Sequence, residues 1–354
     1  MRRLEPRGAE SAVWRYFSPV LALVLTCAFS GLLFAFLGKP PVLTIYTFLV
    51  LPLLQPDGIA YLLLITIAVG LALAYRAAIW NIGAEGQFTL GAIAAGGMAL
   101  AFPDAPEWLI WPAMLAAGVV GGGAAASLVA WLRIRFNANE ILTSLMLTYI
   151  IQYLLLYLVT GPWRDPMGFG FPQTALFSDA ASGPRLVADS NLHLGIVVAP
   201  LAAVALWVML QKSVLGYQFR VLGQAPRALR FAGFGENRLI WVAMLISGGL
   251  AGLAGMFEVS GALGQLNTNL SPGYGFAAII VAFLGRLNPL GIIPAGLLLA
   301  LSYLGGDAAQ MNIGLPNAVT AIFQGILLFC LLGCDVLLLY RVRWRRPVVA
   351  SRAA

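Results

Sequence analysis

Asn81-Ile82-Gly83-Ala84-Glu85-Gly86-Gln87-Phe88 is the stretch on which the reading of this chain turns. On either side, residues 59–75 and 88–102 are almost uninterrupted hydrocarbon. A carboxylate, two amides and two glycines at such a point are costly in an apolar medium unless they face protein, water or a passing solute. The stretch reads as a polar hinge between two apolar spans, with Asn81, Glu85 and Gln87 as candidate functional residues.

The surroundings of the hinge set the fold class. Of 354 residues, 60% are hydrophobic and 10% charged, with a mean hydropathy of +0.88. A soluble domain of this length cannot cover its apolar surface with so few charges, so the solvent is a bilayer and the chain an all-α polytopic membrane protein. The net charge of +7 does not point to nucleic acid, because membrane proteins concentrate Lys and Arg in cytoplasmic loops. Apolar runs predict about ten spans, near 18–38, 59–76, 86–102, 108–132, 139–160, 192–211, 239–262, 274–286, 289–304 and 316–339. The first follows four arginines but is longer than a signal-peptide core, and is read as a retained anchor. Residues 42–54 are apolar but broken by Pro41, Pro52 and Pro56, which suggests a re-entrant or interfacial helix.

Ten crossings with the N-terminus inside put 18 of the 21 Lys and Arg residues on the cytoplasmic side and leave Lys39, Arg164 and Arg185 outside. Both termini are therefore expected to be cytoplasmic. An outer loop spans 161–191, a length at which loops are functional as often as they are plain linkers. A cytoplasmic segment spans 212–238 and holds a short helical run from Pro226 to Gly233 with Leu229 and Phe231. That run reads as an amphipathic helix whose apolar residues are exposed and need a partner. Gly118 with Gly122, and Gly248 with Ala251, Gly252 and Gly255, are small-residue pairs suited to close helix packing in lipid.

An energy source within the chain is missing from the pattern. No G-x-x-x-x-G-K-[ST] phosphate loop is present, and the single histidine, His193, leaves no base for a hydrolytic triad and no His-based metal site. No catalytic residue and no bound cofactor are expected. Four acidic side chains lie in or beside spans: Glu85, Glu140, Glu258 and Asp335. Asp335 has Arg341 and Arg343 nearby, and Glu140 fits a first-turn carboxylate on a helix capped by Asn137 or Asn139. Glu258, in mid-span, needs either a structural hydrogen bond or a water-filled path.

These residues also resemble a known family. Asn81-Ile82-Gly83-Ala84-Glu85-Gly86-Gln87 resembles the signature of permease subunits of bacterial ABC importers for nucleosides and simple sugars, within the branched-chain amino acid and ribose permease superfamily. Further segments agree in order: Asn139 to Leu147, Gly249 to Gly255 followed by Glu258 and Gly261, Tyr274-Gly275-Phe276, Ala282 to Gly285, Asn288 to Gly291, and Phe323-Gln324-Gly325. Two positions depart from the pattern: Gly223-Gln224-Ala225-Pro226-Arg227-Ala228-Leu229 replaces a Gly-x-Asn-x-x-Ala-Ala run, and Thr148 stands where an asparagine often follows Met-Leu.

The resemblance implies a ten-helix bundle of the type II ABC importer kind. It also implies a second permease subunit, a paralogue by preference, an extracytoplasmic solute-binding protein, and a separate ATP-binding cassette ATPase that uses the ATP. The layout is then a cytoplasmic segment 1–17, one transmembrane permease domain 18–339 and a basic cytoplasmic tail 340–354. Within it, 217–236 is similar to the coupling helix that docks into the ATPase, through Gln224, Arg227, Ala228, Leu229, Arg230, Phe231 and Gly233. Asn81, Glu85, Gln87, Glu258 and Phe276 are the candidates for lining the solute path. A branched-chain amino acid or ribose permease is the nearest alternative, and an ATP-independent channel or ion-coupled carrier the alternative from another class.

Overall fold

Backbone in hydrocarbon must satisfy its own hydrogen bonds, so spans this apolar become helices. The computed structural model describes residues 2–6, 12–54, 63–183, 194–316 and 318–344, and most of them are helical. Six helices among the described residues are long and apolar enough to cross a membrane: Phe17–Phe36, Glu107–Phe136, Glu140–Thr160, Gly195–Lys212, Glu236–Leu263 and Pro289–Ile313. Leu63–Arg76, Tyr274–Leu284 and Ala318–Cys334 are shorter apolar helices.

The chain forms two units, Met1–Leu54 with Ser302–Ala354, and Gln55–Leu301. The first contains α1 (Ala12–Phe36), α2 (Pro41–Leu49) and a single 3-10 turn at Leu51–Leu54, which is the short proline-bounded helix expected there. Its core joins Phe34, Phe48, Ala309, Leu315, Val319 and Phe323. The span expected to end near residue 304 runs further. Gly305 to Ile313 looks polar and glycine-rich, yet helix α12 (Pro289–Ile313) continues through it. Small residues explain the difference: a Cβ on Gly305 would run into the Phe48 backbone, and one on Gly306 into Thr320. Close approach, not hydrophobicity, keeps this turn helical. Helix α13 (Ala318–Leu339) leads into β2 (Tyr340–Trp344), which pairs antiparallel with β1 (Arg2–Pro6), Arg2 opposite Trp344.

The second unit is built around α3 (Leu63–Arg76), whose residues Leu63 to Tyr75 are all buried. A helix apolar on every face needs protein on every face; α3 meets α7 (Gly195–Lys212), α10 (Glu236–Phe257) and α11 (Tyr274–Leu284). Beside it α4 (Ala84–Ala101), α5 (Glu107–Phe136) and α10 pack backbone to backbone. A Cβ on Gly122 would overlap Gly248 and Gly252, one on Gly91 would overlap Gly252, and one on Gly255 would overlap Phe88. The glycine pairs read from the sequence are thus the seam of three helices rather than two.

Helix α6 (Glu140–Thr160) starts as expected. Asn139 accepts hydrogen bonds from the Ile141 and Leu142 N–H groups at 2.9 and 3.3 Å, and Glu140 pairs with Arg133 at 2.7 Å. At the far end of α10 the helix widens into a π turn, Glu258–Leu263, closed by Gly264 at φ 66°. The loop expected on the outer side is not a free linker. Thr174, Phe177 and Gly183 donate their N–H groups to the carbonyls of Leu266, Gly264 and Ser260 at 2.8–2.9 Å, so 174–183 lies as a strap along the π turn and on to Leu266. Residues 184–191 of that loop, with Arg185 and Asp189, and His193 beyond it, lie outside the described residues.

Candidate solute cavity

The hinge begins where α3 stops. Ile79 N–H reaches back to the Ala74 carbonyl and Ala78 N–H to that of Tyr75, both at 3.0 Å, with Ala78 left-handed at φ 55°. This paired closure ends a helix cleanly and is usually built on glycine. Tyr75 stacks on Phe283 and Trp80 packs on Tyr75, with ring centroids 5.6 and 5.3 Å apart.

Next comes a closed amide clasp. Asn81 donates to Gln87 at 2.8 Å and Gln87 donates back at 2.9 Å. The second Asn81 N–H goes to Ser247 of α10 at 3.0 Å, and its carbonyl also accepts Gly83 N–H at 3.1 Å. Both side chains are buried. Every hydrogen-bonding position of the Asn81 amide is therefore filled from within the chain, and neither Asn81 nor Gln87 lines the cavity described below.

Glu85, in the first turn of α4, faces elsewhere. It is 2% exposed, and its carboxylate accepts the Gly275 N–H at 2.6 Å, with further bonds from Phe276 N–H and the Ser271 hydroxyl. Ser271 in turn accepts the N–H groups of Tyr274 and Gly273 at 3.0 and 3.2 Å. Glu85 and Ser271 thus cap the N-terminus of α11, where exposed N–H groups and the helix dipole favour a negative charge. Gly275 has to be glycine, because a Cβ there would overlap the Glu85 backbone. Glu258, also buried, is hydrogen-bonded to the Tyr274 side chain, whose ring meets Phe88 edge-on at 5.8 Å. Both carboxylates therefore converge on the first turn of α11, next to Phe276, which is 37% exposed.

A cavity of about 440 Å³ opens against Glu85, a volume in the range of small-molecule sites. Helix α4 contributes Glu85 and Thr89, and α6 contributes Tyr149, Gln152, Tyr153, Leu155 and Leu156. Thr268, Leu270 and Ser271 close it from the loop before α11. Of the path candidates named from the sequence, Glu85 alone lines this cavity. Tyr149, Gln152 and Tyr153 escaped the sequence reading, although their spacing puts an amide and two tyrosines on one face of a largely aliphatic span.

On the expected cytoplasmic side, α8 (Val214–Gln224) and α9 (Pro226–Phe231) form a bent pair. Gly223 lets α8 touch the Arg76 carbonyl at the end of α3. Gly233, at φ 78°, closes α9, with Phe234 N–H bonded to the Leu229 carbonyl at 3.2 Å. Gln224, Arg227, Ala228, Arg230, Phe231 and Gly233 are exposed, Phe231 at 95%. Leu229 corrects the sequence reading: it is fully buried. Helix α9 packs on α8 and α10, so the buried Leu229 anchors it to its own chain and leaves Phe231 as the exposed apolar residue.

Residues 59–332 match the family described as branched-chain amino acid transport system, permease component. The chain belongs to that ABC permease family. The glucose ABC transporter permease protein of Haloferax volcanii is 34% identical over 96% of this chain and 93% of its own length. The guanosine ABC transporter permease protein of Bacillus subtilis is 33% identical over 73% of this chain and 74% of its own. The nucleoside ABC transporter permease protein of Lactococcus lactis is 29% identical over 75% of each. This permease is accordingly a multi-pass subunit of an ABC transporter in the cell membrane, and the polar groups inside its second unit belong to a transport protein.

Proposed function

We propose that this permease forms the translocation path of an ATP-driven importer for a nucleoside or a simple sugar, delivered by an extracytoplasmic binding protein. The observation that carries the reading is the cavity beside Glu85: a carboxylate, an amide, hydroxyls and two tyrosines gathered between spanning helices. Polar groups are concentrated in such places when a solute passes them. The solutes named for the relatives, glucose, guanosine and nucleosides, agree with this set of groups better than a branched-chain amino acid does.

The energy comes from a separate ABC ATPase, docked on residues 217–236, and a second permease, by preference a paralogue, completes the path. Exposed Phe231 with Arg227 and Arg230 on α9 supports that docking surface. Ten crossings of one domain, 18–339, with both termini cytoplasmic, remain the topology of choice. The pairing of β1 with β2 supports it, since it brings both ends of the chain together, as an even number of crossings requires.

Phe231→Asp is expected to leave the subunit folded and assembled but to abolish ATP-driven uptake, whereas Leu229→Asp is expected to lower the amount of folded subunit. Uptake by membranes containing each variant, with the subunit level measured in parallel, tests the coupling assignment. Normal uptake by Phe231→Asp overturns it. The ligand retained by the copurified binding protein identifies the solute.

A further inference from the structure

We infer that the α6 wall of the cavity is a solute subsite, with Tyr149 and Tyr153 as ring platforms and Gln152 as the reading amide for an uncharged, ring-bearing solute. This rests on the importer reading above and names the chemistry of its site.

An exposed amide sets this wall apart from the other exposed side chains of α6, such as Ile150 at 63% and Tyr157 at 64%. Helix α6 is a spanning helix exposed along much of its length, and lipid-facing positions on such a helix are normally aliphatic. Yet Tyr149 is 48% exposed, Tyr153 71%, and Gln152 is exposed between them. The Gln152 amide has no hydrogen-bond partner among the described residues. An amide left in hydrocarbon with neither donor nor acceptor is costly, so this face meets a watered path rather than acyl chains. The spacing of three and four residues puts all three side chains on that one face.

Charge narrows the solute. The lining includes no Lys, Arg or His, and its one ionisable acid, Glu85, already accepts hydrogen bonds from Gly275, Phe276 and Ser271. A helix N-terminus beside a cavity is an anion site, and here the Glu85 carboxyl group already occupies it. A solute carrying a carboxylate or phosphate would meet no cation there, and would lie beside the Glu85 carboxyl group. An uncharged solute meets instead the hydroxyls of Thr268 and Ser271, the Gln152 amide and two aromatic faces. Stacking on tyrosine suits a flat base, and an amide can both donate to and accept from its edge.

The test uses the assembled transporter (both permeases, ATPase and binding protein) in proteoliposomes, with labelled nucleoside uptake and ATP hydrolysis measured together. Tyr153→Ala and Gln152→Leu are each expected to lower uptake at subsaturating solute about tenfold, an ordinary loss for one solute-reading contact, in complexes recovered in the parental amount. Tyr153→Phe, which keeps the ring, is expected to stay within about twofold of the parent. Unchanged uptake in Gln152→Leu and Tyr153→Ala overturns the subsite, while the importer reading stands. A loss in Tyr153→Phe as large as in Tyr153→Ala overturns the platform role. Absence of ATP-driven uptake of any uncharged solute by the parent complex overturns the importer reading, and the subsite with it.

Discussion

Two polar regions lie close together in this permease and differ in one respect. In the clasp of Asn81, Gln87 and Ser247, each amide group is matched by another from the chain itself. Along the cavity wall, Gln152 and the two tyrosines beside it face open volume. Both regions look equally anomalous in an apolar sequence. Polarity within a span is therefore not itself a sign of transport. Polarity left unmatched by the chain is the informative kind, because something else must match it.

Substitutions on either side put that contrast at risk. Asn81→Leu is expected to have the largest effect on the fold. It leaves Gln87, Ser247 and the Gly83 N–H without their partner, and at about 0.6 kcal/mol per hydrogen bond within membrane proteins the loss is about 2 kcal/mol. A drop in the thermal unfolding midpoint of the purified subunit measures it; an unchanged midpoint would show the clasp to be dispensable. Glu85→Gln preserves shape but brings an amide, with N–H groups of its own, against the N–H donors at the start of α11. It should cost about 1 kcal/mol and slow uptake, since it acts on both the helix cap and the cavity. Gln152→Leu should leave the stability within about 0.5 kcal/mol of the parent, its effect falling on uptake alone. If Gln152→Leu destabilised as much as Asn81→Leu, the distinction between the two regions would fail.

The helices are largely legible in the sequence because hydrocarbon length and helix caps are local signals. Asn139 and Pro226 mark starts, and Gly233 a stop, at the expected positions. The continuation of α12 to Ile313 is not legible, since it depends on Gly305 and Gly306 meeting Phe48 and Thr320, contacts that no local pattern announces. At the site, the hinge motif points to the right place but not to each residue's task. Asn81, Glu85 and Gln87 are equally polar on paper, and only tertiary contacts separate a clasp from a cavity wall. Leu229 and Phe231 likewise read as one exposed pair. A helix of six residues is too short for its buried face to be told from periodicity, and packing of α9 on α8 and α10 puts Leu229 in the interior.

In this account solute passes through the subunit on energy supplied by another protein. Accumulation of labelled solute in proteoliposomes containing the complete transporter, with and without ATP and with an added ionophore, puts that to the test in one measurement. Accumulation that requires ATP hydrolysis and is indifferent to the ionophore is the expected result. Flux that persists without ATP, or that the ionophore abolishes, would contradict the account in favour of a channel or an ion-coupled carrier.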